Sequence, residues 1–249
     1  NPIPAGVPGT TVSGTITLSN NGSTTVTFTP AVVVNGVTQT LAPVTLAPGQ
    51  TSTATVQVPV TASGATVTAI VGSPSVADSN PANNSDTKSS GTLLADVTTV
   101  LDLPANAAGG SVISATVTFT NSATASATAT AVVGSVTLSN GEVKTFTIPD
   151  LAPGISSVQT FTTTVPNSIA TPTLAGTATV ATATPETNSA NNSGTDTLVV
   201  LFADPGVLVN PIPAGVPGPT VSATITLSNN GSTTVTVTPV VVVNGVTQT

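Results

Sequence analysis

The 249 residues contain no cysteine, histidine, arginine, methionine, tryptophan or tyrosine. Without an imidazole base or a thiolate, neither a Ser-His-Asp nor a Cys-His nucleophilic site can be built. Nine carboxylates remain, but they are spread along the chain and sit mostly at strand starts and turns. The expectation is a protein with no catalytic residue and no cofactor. Without cysteine there can be no disulfide, so stability must come from packing and backbone pairing. Lys88 and Lys144 are the only basic residues, against nine acids, for a net charge of −7. Two cations cannot form the basic stripe that neutralises phosphates, so neither nucleic acid nor an anionic membrane surface is an expected partner. No apolar run reaches the length of a membrane span, and no signal peptide is recognisable. Any targeting or anchoring segment is expected outside this stretch.

A surface so poor in charge needs hydration by Thr, Ser and Asn, a coat of sugar, or burial against neighbouring molecules. All three suit an extracellular polymer. Thr supplies about a fifth of the chain, and the apolar residues are mainly Val and Ala. Branching at Cβ favours the pleated surface of a sheet, so the composition points to strands.

Residues Asn1 to Thr40 recur, with four changes, as Asn210 to Thr249. The changes are Thr10/Pro219, Gly14/Ala223, Phe28/Val237 and Ala31/Val240. A near-copy displaced by 210 − 1 = 209 positions is the mark of a tandem array. Within that period the motifs also repeat at about half the spacing. Leu46-Ala47-Pro48-Gly49 answers Leu151-Ala152-Pro153-Gly154, and Val58-Pro59 answers Val165-Pro166. The expected units are residues 1–94, lacking a first strand; residues 95–202, complete; and residues 203–249, the opening strands of a third.

In the complete unit, Asp96 to Leu103 reads as a first strand. Ser111 to Asn121 alternates, with Ile113, Ala115, Val117 and Phe119 on one face and Ser114, Thr116, Thr118 and Thr120 on the other. Period two marks a strand with one buried face. Ala123 to Val133 reads as a further strand with smaller residues. Asn140-Gly141 and Asn35-Gly36 read as type I′ hairpin turns, where both central residues take positive φ. Val158 to Val165, Thr173 to Thr184 and Thr195 to Phe202 complete the set. In the first unit Val12, Gly14, Ile16 and Leu18 are expected to face inward, and so are Val221, Ala223, Ile225 and Leu227 in the copy. Seven or eight short strands with no helical pattern describe an all-β chain of immunoglobulin-like β-sandwiches of about 100 residues each. With no Gly-rich or Pro-rich linker between units, these should form a linear rod.

The order of motifs resembles tandem surface-protein repeats of the CARDB type, a cell-adhesion-related domain of bacteria, and a related conserved surface repeat of unknown function. The resemblance rests on Ala95-Asp96 and Ala203-Asp204 opening a unit. It rests also on Thr-rich strands ending in Asn20 and Asn121, the Leu-Ala-Pro-Gly turns, and the turns Asp78 to Ser85 and Glu186 to Ser193 before the last strand. It implies an immunoglobulin-like fold in a long secreted surface protein, and no reaction.

The Asn-rich turns offer weak Ca²⁺ candidates in Asp78, Asn80, Glu186 and Asn188. Calcium prefers several carboxylates among six to eight oxygens, and the other reading is that these side chains satisfy local backbone groups. The sequons at Asn21, Asn83, Asn191 and Asn230 are candidate N-glycosylation sites. Outward threonines are equal candidates for O-linked sugar. An intramolecular Lys-Asn isopeptide bond would need Lys88 or Lys144 buried, and Lys144, close to Glu142, reads as lying on a solvated edge. Together these features lead to an expected structural component of an extracellular filament, sheath or stalk on a prokaryotic cell, whose partners are further copies of the repeat and surface sugars. The alternative is an adhesin whose repeats display a binding tip.

Overall fold

A computed structural model describes residues 1–248. The expected third unit, residues 203–249, ends on Thr249, which lies outside the described residues. The first stretch forms β1 (Thr11–Ser19), β2 (Val26–Phe28), β3 (Pro30–Val34), β4 (Val37–Thr40), β5 (Val44–Leu46), β6 (Thr51–Pro59), β7 (Ala65–Val71) and β8 (Ser85–Ser90), with a single 3-10 turn at Pro81–Asn83. The second forms β9 (Val97–Asp102), β10 (Asn106–Ala108), β11 (Val112–Asn121), β12 (Val132–Leu138), β13 (Val143–Ile148), β14 (Ser156–Thr164), β15 (Thr173–Ala181) and β16 (Ser193–Leu201). The remainder holds β17 (Pro205–Val209), β18 (Ile225–Asn229), β19 (Val241–Val243) and β20 (Val246–Gln248). The chain is all-β.

Residues 95–202 form a sandwich of two sheets, β14-β11-β9 and β10-β16-β15-β12-β13. Every pairing is antiparallel except that of β10 with β16. The alternation in β11 holds: Ile113, Ala115, Val117 and Phe119 are all buried, and their Ser and Thr neighbours face out or lie half-buried. They meet Val132, Val136, Leu174, Ala178 and Leu198 of the opposite sheet in one core. Phe119 is fully buried and stacks obliquely on Phe146, with ring centroids 6.1 Å apart. The ring lies against Gly134, where a Cβ would come within 2.2 Å of it. A smaller separate core joins Ile3, Ile16, Leu18, Phe28, Val32, Val56, Val58 and Val67. It lies between β1-β6 and β4-β3-β7-β8.

Three expectations are corrected. Ala123 to Ala131 is not a strand. Ala129 makes only an isolated bridge to Leu151, Ala131 takes φ +50°, and the strand begins at Val132. Alanine lacks the branched Cβ that packs on a pleated face, so alternation alone does not hold an extended chain there. Asn35-Gly36 has positive φ at both residues, but at Asn140-Gly141 only Gly141 does. The Gly141 N–H bonds the Leu138 carbonyl and the Leu138 N–H bonds the Glu142 carbonyl, which is a three-residue loop with a bulge at glycine. The Asn140 amide instead donates to Thr163 Oγ1 and the Thr164 carbonyl of β14, both at 3.1 Å. Finally, Val221, Ala223 and Leu227 are exposed and Ile225 only half-buried, although Gly14, Ile16 and Leu18 of the first copy are buried. Among the described residues, strand β18 pairs with β17 and has no second sheet over its face, and an alternating sequence without a facing sheet has nothing to bury against.

Candidate functional site

The strand-ending asparagines act as internal ties. Asn121 is completely buried, and its Nδ2 donates to the carbonyls of Ala127 at 2.9 Å and Leu151 at 2.8 Å. Its Oδ1 accepts the Asp96 N–H at 3.0 Å. One side chain thereby joins the end of β11, the Leu-Ala-Pro-Gly turn and the entry of β9. Asn20 repeats the Nδ2 pair with Thr24 and Leu46. Asn229 Oδ1 accepts the Asp204 N–H at 2.9 Å. Alternation alone marks these residues only as strand ends, and their recurrence before each turn is the sequence signal of the tie.

Carboxylates serve as backbone clamps. Glu186 Oε2 accepts the Val97 N–H at 2.9 Å, and its Oε1 accepts Asn192 Nδ2 at 2.9 Å. Asp196 Oδ2 accepts the Leu103 N–H at 2.7 Å. Strand β9 is thus held at both ends by acids of β16 and the turn before it. Asp78 Oδ1 accepts the Asn80 N–H, and Asn188 Oδ1 accepts the Ala190 N–H, both local turns. Of the four calcium candidates, the structure brings Asp78 close to Asn80 and places Glu186 in a fold-spanning contact. Among the described residues, no group of three or more His, Cys, Asp or Glu side chains clusters as metal ligands do.

The sequon asparagines differ in access. Asn21, Asn83 and Asn230 are exposed, whereas Asn191 is half-buried and its Nδ2 donates to Asp96 Oδ1 at 2.9 Å. Each lysine faces an acid on its own strand or turn. Lys88 Nζ lies 2.7 Å from Asp86 and Lys144 Nζ 3.4 Å from Glu142, with all four side chains partly solvated. The Lys88 hydrogen bond holds the Asp86 carboxyl below the usual range. The Thr163 hydroxyl beside Glu142, with Lys144 second, does the same there.

The passages between units contain no spare residue. The Gly6 N–H bonds the Gly91 carbonyl and the Leu93 N–H bonds the Gly6 carbonyl, tying residues 91–93 to the first core's side. The next carbonyl, of Leu94, accepts the N–H groups of Ser126 and Ala127, and the Ala95 N–H bonds the Pro185 carbonyl. At the other end Phe202 packs its ring against the second core while its carbonyl accepts the Ser232 N–H at 2.7 Å.

No protein-family model matches the chain, and no curated protein matches it. Among solved structures, the crystal structure of the CARDB domain of the PF1109 protein from Pyrococcus furiosus, in complex with di-metal ions, aligns at 23% identity. The alignment covers 43% of this chain and 89% of that one, with a TM-score of 0.38. The solution structure of the same domain aligns at 21% identity over 43% of this chain and 96% of that one, again at 0.38. Red sea bream transglutaminase aligns at 12% identity over 78% of this chain and 29% of that one, at 0.34.

Proposed function

We propose that this chain is a structural component of a long extracellular filament, sheath or stalk on a prokaryotic cell, built from tandem immunoglobulin-like units that join end to end. The observation that carries the reading is the near-copy of residues 1–40 at 210–249. It is supported by passages in which consecutive residues are bonded first to one unit and then to the next. Such joints transmit tension through backbone and restrict bending, which is what a load-bearing strand needs. The units are residues 1–94, 95–202 and 203–249, and the partners are further copies of the same repeat. The chain performs no reaction and takes no cofactor, and its few charges leave Thr-rich faces to pack laterally or to carry sugar.

The ordered surface-repeat motifs favour one second reading, an adhesin whose repeats hold a binding tip away from the cell. Electron microscopy of the assembled native material separates the two. The filament reading expects repeats throughout, with regular end-to-end or lateral contacts. Separate rods, each ending in a dissimilar domain, would contradict it and leave the adhesin.

A further inference from the structure

The hairpin between β12 and β13 gathers more chemistry than its turn requires. Its Asn140 reaches across to β14 of the other sheet, where Nδ2 donates to Thr163 Oγ1 and to the Thr164 carbonyl, both at 3.1 Å. Its Oδ1 accepts the Glu142 N–H at 3.0 Å. The amide is thereby held at both its oxygen and its nitrogen. Thr163 points inward and is only 3% exposed. Its oxygen accepts the Asn140 bond, and its hydroxyl lies beside the Glu142 carboxylate. Lys144 Nζ engages Glu142 Oε1 at 3.4 Å, while Oε2 is shielded from water and has no aligned hydrogen-bond partner. A carboxylate oxygen out of solvent and next to a hydroxyl is placed to take its proton.

The first unit shows how much of this the hairpin itself needs. Asn35 fills the same place: its Nδ2 donates to the Pro59 carbonyl at 2.8 Å, and its Oδ1 accepts the Thr66 N–H at 3.0 Å. Val58, opposite Val12, stands where Thr163 stands opposite Ile113. Val37 follows Asn35-Gly36 as Glu142 follows Asn140-Gly141. The amide tie is thus made there with neither hydroxyl nor carboxylate. Fastening the hairpin accounts for the asparagine, but not for a buried hydroxyl and an acid set together against it.

We propose that Thr163 and Asn140 join in an intramolecular ester, formed by the chain on itself with Glu142 as the base. Glu142 Oε2 takes the hydroxyl proton as Thr163 Oγ1 bonds to Asn140 Cγ. That carbon is one C–N bond, about 1.3 Å, from the nitrogen already 3.1 Å away. Charge gathering on Oδ1 is met by the Glu142 N–H, as in an oxyanion hole. The Cγ–Nδ2 bond then breaks, Glu142 returns the proton to the nitrogen, and ammonia leaves. Glu142 ends as it began, so no co-reactant is consumed. The other nearby nucleophile, the Gly141 nitrogen, is occupied, because its N–H bonds the Leu138 carbonyl at 3.0 Å. The ester fastens a hairpin of one sheet to a strand of the other, the service a disulfide gives in chains that have cysteine. It is a single event within each chain and acts on no other molecule, and it does not depend on the filament reading.

The test is the mass of the folded 249-residue chain under denaturing conditions, followed until it is constant. The expected value is the sequence mass less one ammonia. Peptides bearing Asn140 and Thr163 should be recovered joined, and mild alkali should part them and leave an aspartate in place of Asn140. Thr163→Val, the residue type the first unit carries, and Glu142→Gln should each restore the full sequence mass. Thr163→Ser and Lys144→Arg should keep the loss. A folded chain at full sequence mass overturns the ester. So does a loss that survives Thr163→Val: confined to the Asn140 peptide it is a ring closed on Gly141, and abolished by Lys144→Arg it is an isopeptide bond. Each of these outcomes leaves the filament reading as it stands.

Discussion

Asn121 shows how a chain without disulfides holds its loops. Three hydrogen bonds converge on a fully buried amide, and truncation would leave the Ala127 carbonyl and the Asp96 N–H unpaired while the Leu151 carbonyl kept only the Ala129 N–H. Asn121→Ala should therefore destabilise the second unit by at least ~1–3 kcal/mol, the cost of stranding a buried polar group. Urea unfolding of that unit measures it, and an unchanged midpoint would show that water replaces the tie. Gly134 is a second such residue. Its neighbour is the Phe119 ring, not a turn that needs positive φ, so Gly134→Ala acts by overpacking and should cost about 1–3 kcal/mol. The same unfolding curve checks it, and a neutral result would mean that the ring moves aside freely.

At the scale of elements, the half-buried strands were legible because a side-chain period of two survives in β11 however the sheets are arranged. The alanine run before β12 carried the same period without the side-chain bulk that makes it count. The clamps were not legible at all: Glu186 reaches Val97 across 89 residues, and nothing local encodes which strand will lie beside that turn. The sharpest case is β18, whose Ile225 to Asn229 match Ile16 to Asn20 of β1 and which, among the described residues, has only β17 beside it. Patterning states which face can be buried, and only the partner decides whether it is. The sequons follow the same rule. Where N-linked sugar is added, glycopeptide mapping should find it at exposed Asn21, Asn83 or Asn230 and find Asn191 bare, because its Nδ2 is bonded to Asp96. Sugar on Asn191 would contradict that contact.

The whole molecule has an unusually simple relation to pH. The sequence has no histidine or cysteine, the side chains that ordinarily change charge near neutrality. The depressed carboxyls of Asp86 and Glu142 contribute stability that is present above their unfolded values and lost as pH falls through their folded ones. Thermal midpoints should therefore be flat from about pH 5.5 to 8.5 and decline only below about pH 4. A transition near neutrality would mean that some other group is coupled to folding.

The proposed filament joins two unlike units end to end, and their length sets its axial repeat. A nine-residue strand such as β6 or β14 extends about 30 Å at ~3.3 Å per residue. A pair of units with their short joints should then repeat every 70–80 Å or so, an estimate from the same rise. The most direct test is the axial repeat of the native assembly by electron cryo-microscopy. Units joined end to end should give a filament with that two-unit periodicity. Particles without axial order, or a repeat too short to hold two sandwiches in line, would contradict it.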